Sequence, residues 1–232
     1  MFRFVETETP PRRLADGVFM VGGPDLSDPR DCLCYLVTGS SARVLIDVGA
    51  GPSVEQILAL AEKAGGKPPT HLVLTHAHID HAGGAAEMRR LTGCQVIIHQ
   101  ADAPTLLEGD AVRSAASWYG LHLDSLEPDL VLDGDHQIDL GEDRHLHLIP
   151  TPGHTPGSIS AWCQAGEFKV LFGQDVHGPF NASFGSDLNL WRQSMDRLLA
   201  LEADILAEGH FGVFRPASEV RAFLESQLAQ QR

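Results

Sequence analysis

The chain has 232 residues, 43% of them hydrophobic and 21% charged, and a formal net charge of -14; that is apolar material for one buried core but little for two full domains, so residues 1–232 are read as a single domain. The acidity is spread along the sequence, which excludes a nucleic-acid backbone or an anionic membrane surface as the main partner and describes a solvated surface instead. No run approaches about 18 uninterrupted apolar residues, and the start Met1-Phe2-Arg3-Phe4-Val5-Glu6 has no apolar stretch of the kind a signal peptide needs.

In chain order, Val18 to Val21 reads as a short strand closed by Gly22-Gly23-Pro24. Cys32 to Thr38 and Arg43 to Val48 are β-rich runs separated by the turn Gly39-Ser40-Ser41. Ser53 is placed to cap a helix in which Val54, Ile57, Leu58 and Ala61 recur at helical spacing, ended by Gly65-Gly66. His71 to Thr75 is a short apolar strand, Gly83 to about Leu91 a helix, and Gln95 to His99 a strand. The stretch from Ala101 to Leu126 is helical and irregular. Strands return at Leu130 to Leu132, Gln137 to Leu140, His145 to Ile149, Ser158 to Cys163 and Lys169 to Phe172. Leu190 to Leu201 is a helix, Ile205-Leu206 a short strand and Ala217 to Gln230 a terminal helix. Strands alternating with helices argue an α/β protein, and the two halves repeat several strands followed by helices. A sandwich of two sheets with helices outside satisfies that order.

The four cysteines, Cys32, Cys34, Cys94 and Cys163, form no C-x-x-C pair. Buried free thiols in a reducing, cytoplasmic setting fit them better than disulfides.

Chemistry concentrates at His76-Ala77-His78-Ile79-Asp80-His81, directly after the strand His71 to Thr75. Three imidazoles and a carboxylate fall in six residues. His76 and His78, two apart, project to one side of an extended segment; Asp80 and His81, at the turn into the helix, point elsewhere and can serve a different ion. A polar loop seldom needs that combination, whereas a transition-metal site does. Further ligand-type residues follow later strands. His154 sits in the rigid turn Thr151-Pro152-Gly153-His154-Thr155-Pro156-Gly157. Asp175 follows Phe172-Gly173-Gln174, and His210 lies in Glu208-Gly209-His210-Phe211-Gly212.

Here the sequence resembles the metallo-β-lactamase-fold hydrolases, in their glyoxalase II-like branch. The hallmark H-x-H-x-D-H stands at His76 to His81, and the later ligands match His154, Asp175 and His210, with order and spacing kept from about Val18 to Arg215. The resemblance implies a four-layer αββα sandwich of two mixed β-sheets flanked by helices. It implies that His76, His78 and His154 hold one divalent metal, that Asp80, His81 and His210 hold a second, and that Asp175 bridges them. Zinc suits such a histidine and carboxylate set, as do iron and manganese. A metal-bridging hydroxide would attack an ester, thioester, lactone or amide carbonyl of a small-molecule substrate, with Asp80 orienting it or carrying its proton. The alternative on the same fold is a persulfide dioxygenase with one iron held by His76, His154 and Asp175. The basic C-terminal helical region that glyoxalase II uses for glutathione is not seen after His210. For substrate contacts the candidates are His177, two residues past Asp175, and Phe180 with Phe184 in the following loop. Trp118 and Tyr119 lie in the irregular insert, with Tyr119 a further candidate contact and the insert itself a lid or a homodimer contact.

Overall fold

The apolar runs of the first half build one sheet. In the computed structural model, which describes residues 10–231, its strands are β1 (Arg12–Ala15), β2 (Val18–Gly22), β3 (Cys34–Thr38), β4 (Arg43–Ile46), β5 (His71–Val73), β6 (Gln95–His99) and β7 (Leu130–Leu132), side by side in chain order. The pairs from β1 to β4 are antiparallel and those from β4 to β7 are parallel. Parallel neighbours need crossovers, so the helices of this half fall between them. These are α1 (Val54–Gly65), α2 (Ile79–Ala82), α3 (Ala85–Thr92), α4 (Ala103–Glu108) and α5 (Ala116–Tyr119).

The second half builds a second mixed sheet from β8 (His136–Gly141), β9 (Arg144–Pro150), β10 (Ile159–Ala165), β11 (Phe168–Gln174), β12 (Ile205–Glu208) and β13 (Val213–Phe214). Its parallel pair, β11 with β12, is joined through a short 3-10 turn (Ala182–Phe184) and α6 (Leu188–Leu199); α7 (Ala217–Gln230) follows β13.

Side-chain alternation along the strands decides the layers. In β3, Tyr35 and Val37 point between the sheets, where they meet Leu148, Ala161 and Phe172, while Leu36 points outward to the layer of Ile57 on α1 and Met88 on α3. On the second sheet Leu171 and Leu206 turn outward against Trp191 and Met195 of α6 and Val220 and Leu224 of α7. The result is the helix–sheet–sheet–helix sandwich of the α/β reading. Phe172 is 1% exposed and packs its ring 5.6 Å from that of Tyr35. Phe172→Ala is therefore expected to cost about 3–5 kcal/mol of stability in chemical denaturation; a change under about 1 kcal/mol would mean that the inter-sheet core re-packs freely.

Several boundaries differ from the sequence reading. Strands β1 and β13 carry little apolar signal and were not expected; each is an edge strand. Strand β3 begins at Cys34, because the backbone N–H groups of Cys32 and Leu33 are donated to Asp80 and Gly209 carbonyls and not to a neighbouring strand. Ser53 precedes α1 without capping it; its hydroxyl donates to the buried Asp31 carboxylate. The helix expected from Gly83 to about Leu91 is α3, and a further short helix, α2, comes before it and carries Asp80 and His81. The four cysteines are buried and free. Among the described residues no helix is long and apolar enough to cross a membrane. The reading of Met1 to Glu6 lies outside the described residues.

Candidate metal centre

Strand ends bring the ligand-type residues together. His76 and His78 follow β5, His154 follows β9, Asp175 follows β11 and His210 follows β12. All seven residues singled out by the sequence converge on one patch, six of them buried and His210 at its exposed side. His76 Nε2 lies 2.9 Å from His78 Nδ1, which lies 3.0 Å from His154 Nε2. Asp175 Oδ2 faces this trio, 3.4 Å from His154 Nε2 and 4.0 Å from His76 Nε2. Its other oxygen, Oδ1, is 3.1 Å from His81 Nε2 and 3.2 Å from His210 Nε2. Asp80 Oδ2 completes that second group at 3.3 Å from His210 Nε2 and 3.7 Å from His81 Nε2. Asp175 thus stands between two sets of three donors and turns one oxygen to each.

Hydrogen bonds fix which ring nitrogens look inward. Asp47, just past β4, receives the backbone N–H and the hydroxyl of Thr75 at 2.8 and 2.7 Å, and His81 Nδ1 at 2.8 Å. His81 therefore gives its Nδ1 proton to Asp47 and directs Nε2 to Asp175. The Thr75 hydroxyl, already donating to Asp47, accepts from His76 Nδ1 at 3.1 Å, so the His76 Nε2 lone pair is also turned inward. A second buried carboxylate, Asp102, receives the N–H of Ala77 at 3.1 Å, the hydroxyl of Thr155 at 2.8 Å and the N–H of Gly157 at 2.8 Å. It ties the His76–His81 loop to the His154 turn. Burial pushes its carboxyl up against the pull of these donors. A third, Glu208, takes the N–H groups of His210 and Phe211 at 2.6 and 2.7 Å on one oxygen and His177 Nδ1 at 2.6 Å on the other.

Glycines permit two of these approaches. Gly153 has φ of +141° with the Trp191 backbone and Cβ against it, and a Cβ on Gly209 would stand 2.6 Å from Asp175 Oδ1. Neither position has room for a side chain.

The electrostatics fit a cation. Burial, reinforced by the neighbouring imidazoles, holds His76 well below the ordinary range, and holds His78 at about 3 and His154 at about 4. These rings are neutral lone-pair donors. In the other group burial works against charge, but Asp175 and the further carboxylates outweigh it, raising His81 and bringing His210 up to about 10. Protons there neutralise carboxylates that a divalent cation would neutralise equally well. Asp175 Oδ1 is buried without a properly aligned hydrogen-bond donor, as expected of an atom made for a metal and not for a proton. His76, His78, His154 and Asp175 form one group able to hold a metal ion, and Asp80, His81 and His210 another.

The open side of the centre is a cavity of about 220 Å³. His78, Asp80, Asp175, His177 and His210 form its floor, and Ala115, Trp118, Tyr119, Pro179 and Phe184 its wall. His177 and Tyr119, candidates from the sequence, both line this cavity; burial and the nearby Asp80 raise the Tyr119 phenol. Phe180 is not among the lining residues. It packs its ring 5.0 Å from Trp191, beneath the loop, and Phe184, 4.4 Å from His78, takes the wall position. The bracing carboxylates Asp47, Asp102 and Glu208 were not assigned from the sequence. Asp47 and Glu208 carry the signal that marked Asp175, an acid at the end of an apolar strand; Asp102 carries none.

A geometry of this kind identifies its class. A sequence model of the metallo-beta-lactamase superfamily matches residues 27–210, and the chain belongs to that superfamily of metallohydrolases. It is 27% identical over 181 residues to a probable metallo-hydrolase of Bacillus subtilis, YqgX, covering 76% of this chain and 82% of that one. It is 30% identical over 189 residues to the human acyl-coenzyme A thioesterase MBLAC2, covering 71% of this chain and 65% of the relative, and so spans just under two thirds of that enzyme's length. A hydroxyacylglutathione hydrolase of Anaeromyxobacter dehalogenans is 35% identical over 130 residues, 56% of this chain and 41% of its own. Among solved structures, the metallo-beta-lactamase GOB-18 from Elizabethkingia meningoseptica superposes with a TM-score of 0.78 at 22% identity, over 96% of this chain and 89% of that one. That likeness is one of fold.

Proposed function

We propose that this chain is a hydrolase that uses two divalent metal ions, zinc in the first instance, to cleave a thioester or a related ester or lactone carbonyl. The observation that carries the proposal is Asp175, whose two oxygens address separate sets of three ligand atoms. His76, His78 and His154 would hold one ion, Asp80, His81 and His210 the other, and Asp175 both. Bound there, the ions would polarise the carbonyl and lower the pKa of water from about 15.7 toward about 7. Asp80, on the cavity floor, is placed to orient the attacking water and take its proton. In the overall step a carbon–oxygen bond forms from water, the carbon–sulfur bond breaks, and the proton passes to the leaving thiolate. Relatives named for thioester hydrolysis, the human thioesterase and the hydroxyacylglutathione hydrolase, support thioesters as the first substrates to assay.

Metal analysis of protein purified without chelator, followed by assays on a thioester, a lactone and a persulfide, tests the reading. Two equivalents of zinc per chain and hydrolysis that a chelator removes and zinc restores are expected. One equivalent of iron with oxygen consumed on the persulfide would replace the proposal with the dioxygenase chemistry.

A further inference from the structure

We infer that the cavity selects an uncharged, apolar acyl group, and so turns away substrates that carry an anion on the acyl side. The inference rests on the hydrolytic reading of the same site and narrows its substrate class.

The cavity, about 220 Å³ and open to one side, has room for an acyl chain of a handful of carbons or a single aromatic ring.

The lining sets the polarity. The wall opposite the metal ligands offers a methyl group, a proline ring and the rings of Trp118, Tyr119 and Phe184. No described residue that lines the cavity is a lysine or an arginine. Of the polar side chains beyond the metal ligands, His177 is already engaged: it gives Nδ1 to the fully buried Glu208 at 2.6 Å. A carboxylate on the far end of an acyl group, turned away from the metal ligands, would lose its water against ring edges with no lysine or arginine to receive it, at a cost that grows steeply with burial. An apolar end loses nothing there and gains the aromatic wall.

The wall is also held in a fixed place. The N–H of Ile79, in the ligand loop itself, donates to the Ser114 carbonyl at 2.8 Å. Ala115 then takes a left-handed backbone at φ +56° to start α5, which carries Trp118 and Tyr119. Across the cavity Trp118 meets Phe184 at 4.9 Å between ring centroids. Wall and metal ligands are therefore connected through two residues of backbone, and the distance from the reacting carbonyl to the aromatic surface is set by the fold.

Two measurements decide this. The zinc-loaded enzyme is assayed on N-acetylcysteamine thioesters, whose carrier is neutral, with pentanoyl, phenylacetyl and succinyl groups. The apolar acyl groups are expected to exceed succinyl by about a hundredfold in kcat/KM. Trp118→Ala, at a side chain 59% exposed in the free protein, is expected to raise KM for phenylacetyl by roughly tenfold while leaving that for acetyl in place. Independently of turnover, ligand-observed NMR compares methyl butyl ketone with levulinate, an unreactive pair that differs by the terminal anion. Binding of the ketone that is lost in Trp118→Ala, with levulinate bound more weakly, supports the inference. Succinyl turned over as well as pentanoyl, or levulinate bound as tightly as the ketone, overturns it. If no thioester or lactone is hydrolysed, the hydrolase reading fails, and the NMR pair still decides the character of the cavity.

Discussion

If the chain holds two ions as proposed, replacing Asp175 with alanine is expected to lower metal content to less than one ion per chain and to reduce turnover by about a thousandfold or more. The expectation follows from what the carboxylate touches. One oxygen stands 3.4 Å from His154 Nε2 and the other 3.1 Å from His81 Nε2, so each set of three ligand atoms loses its shared anion at once. His210 and His81 together hold Asp175 well below the usual carboxylate range in spite of burial. Removing it leaves those imidazoles facing one another, with His81 and His210 only 3.3 Å apart at Nε2, and with less negative charge to offset either protons or metal. The conservative Asp175→Asn keeps the volume and one carbonyl oxygen but presents an amide N–H₂ to one set. It should retain a single ion, and which set keeps it reports which oxygen matters more. The checks are metal stoichiometry by mass spectrometry on gel-filtered protein and initial rates on the best thioester. Two tightly held ions in Asp175→Ala would show that the two sets are independent sites and that the bridging role is wrong.

The sequence made the candidate metal-centre residues legible because a metal site needs a few residue types at strand ends, and those types are rare side by side in ordinary loops. His76 to His81 could be read without any fold. His154 was readable because Gly153 and the flanking prolines announce a specific turn. The layers were legible through the alternation of runs such as Cys34 to Thr38, which cannot bury both faces without something packed on each. What was not legible has physical reasons. Strands β1 and β13 lie at sheet edges, where one partner suffices and the apolar signal is weak. Ser53 looked like a helix cap, since a serine before an apolar helix usually is one, but a buried carboxylate 22 residues upstream, Asp31, is the acceptor instead. Phe180 and Phe184 have the same composition signal; only packing against Trp191 separates the one that supports the loop from the one that lines the cavity. The bracing acids were the largest omission. A carboxylate that receives donors from distant loops has no periodicity to betray it.

Asp102 is the brace whose removal should be most selective. Its two oxygens receive donors from Ala77, Thr155 and Gly157, so it fixes the loop of His76 and His78 against the turn of His154 and touches nothing that holds His81 or His210. Asp47 differs, because it reaches His81 directly and His76 through Thr75. Asp102→Ala is expected to weaken the ion held by the three-histidine set by about 10- to 100-fold and to leave the other ion's affinity near its original value. Asp47→Ala should weaken both. Each substitution strands buried donors and is expected to cost about 2–4 kcal/mol in stability. Stability alone cannot separate the two variants, but competition with a chromophoric chelator can. Asp102→Asn supplies the control, since the amide oxygen can accept from Gly157 while its N–H₂ clashes with the donors at the other oxygen; it should fall between wild type and Asp102→Ala in affinity at the first site only. Equal loss at both sites in Asp102→Ala would show that the brace supports the whole loop layer. Loss at one site alone would place Asp102 among the residues that set the geometry of the three-histidine group from outside the ligand shell.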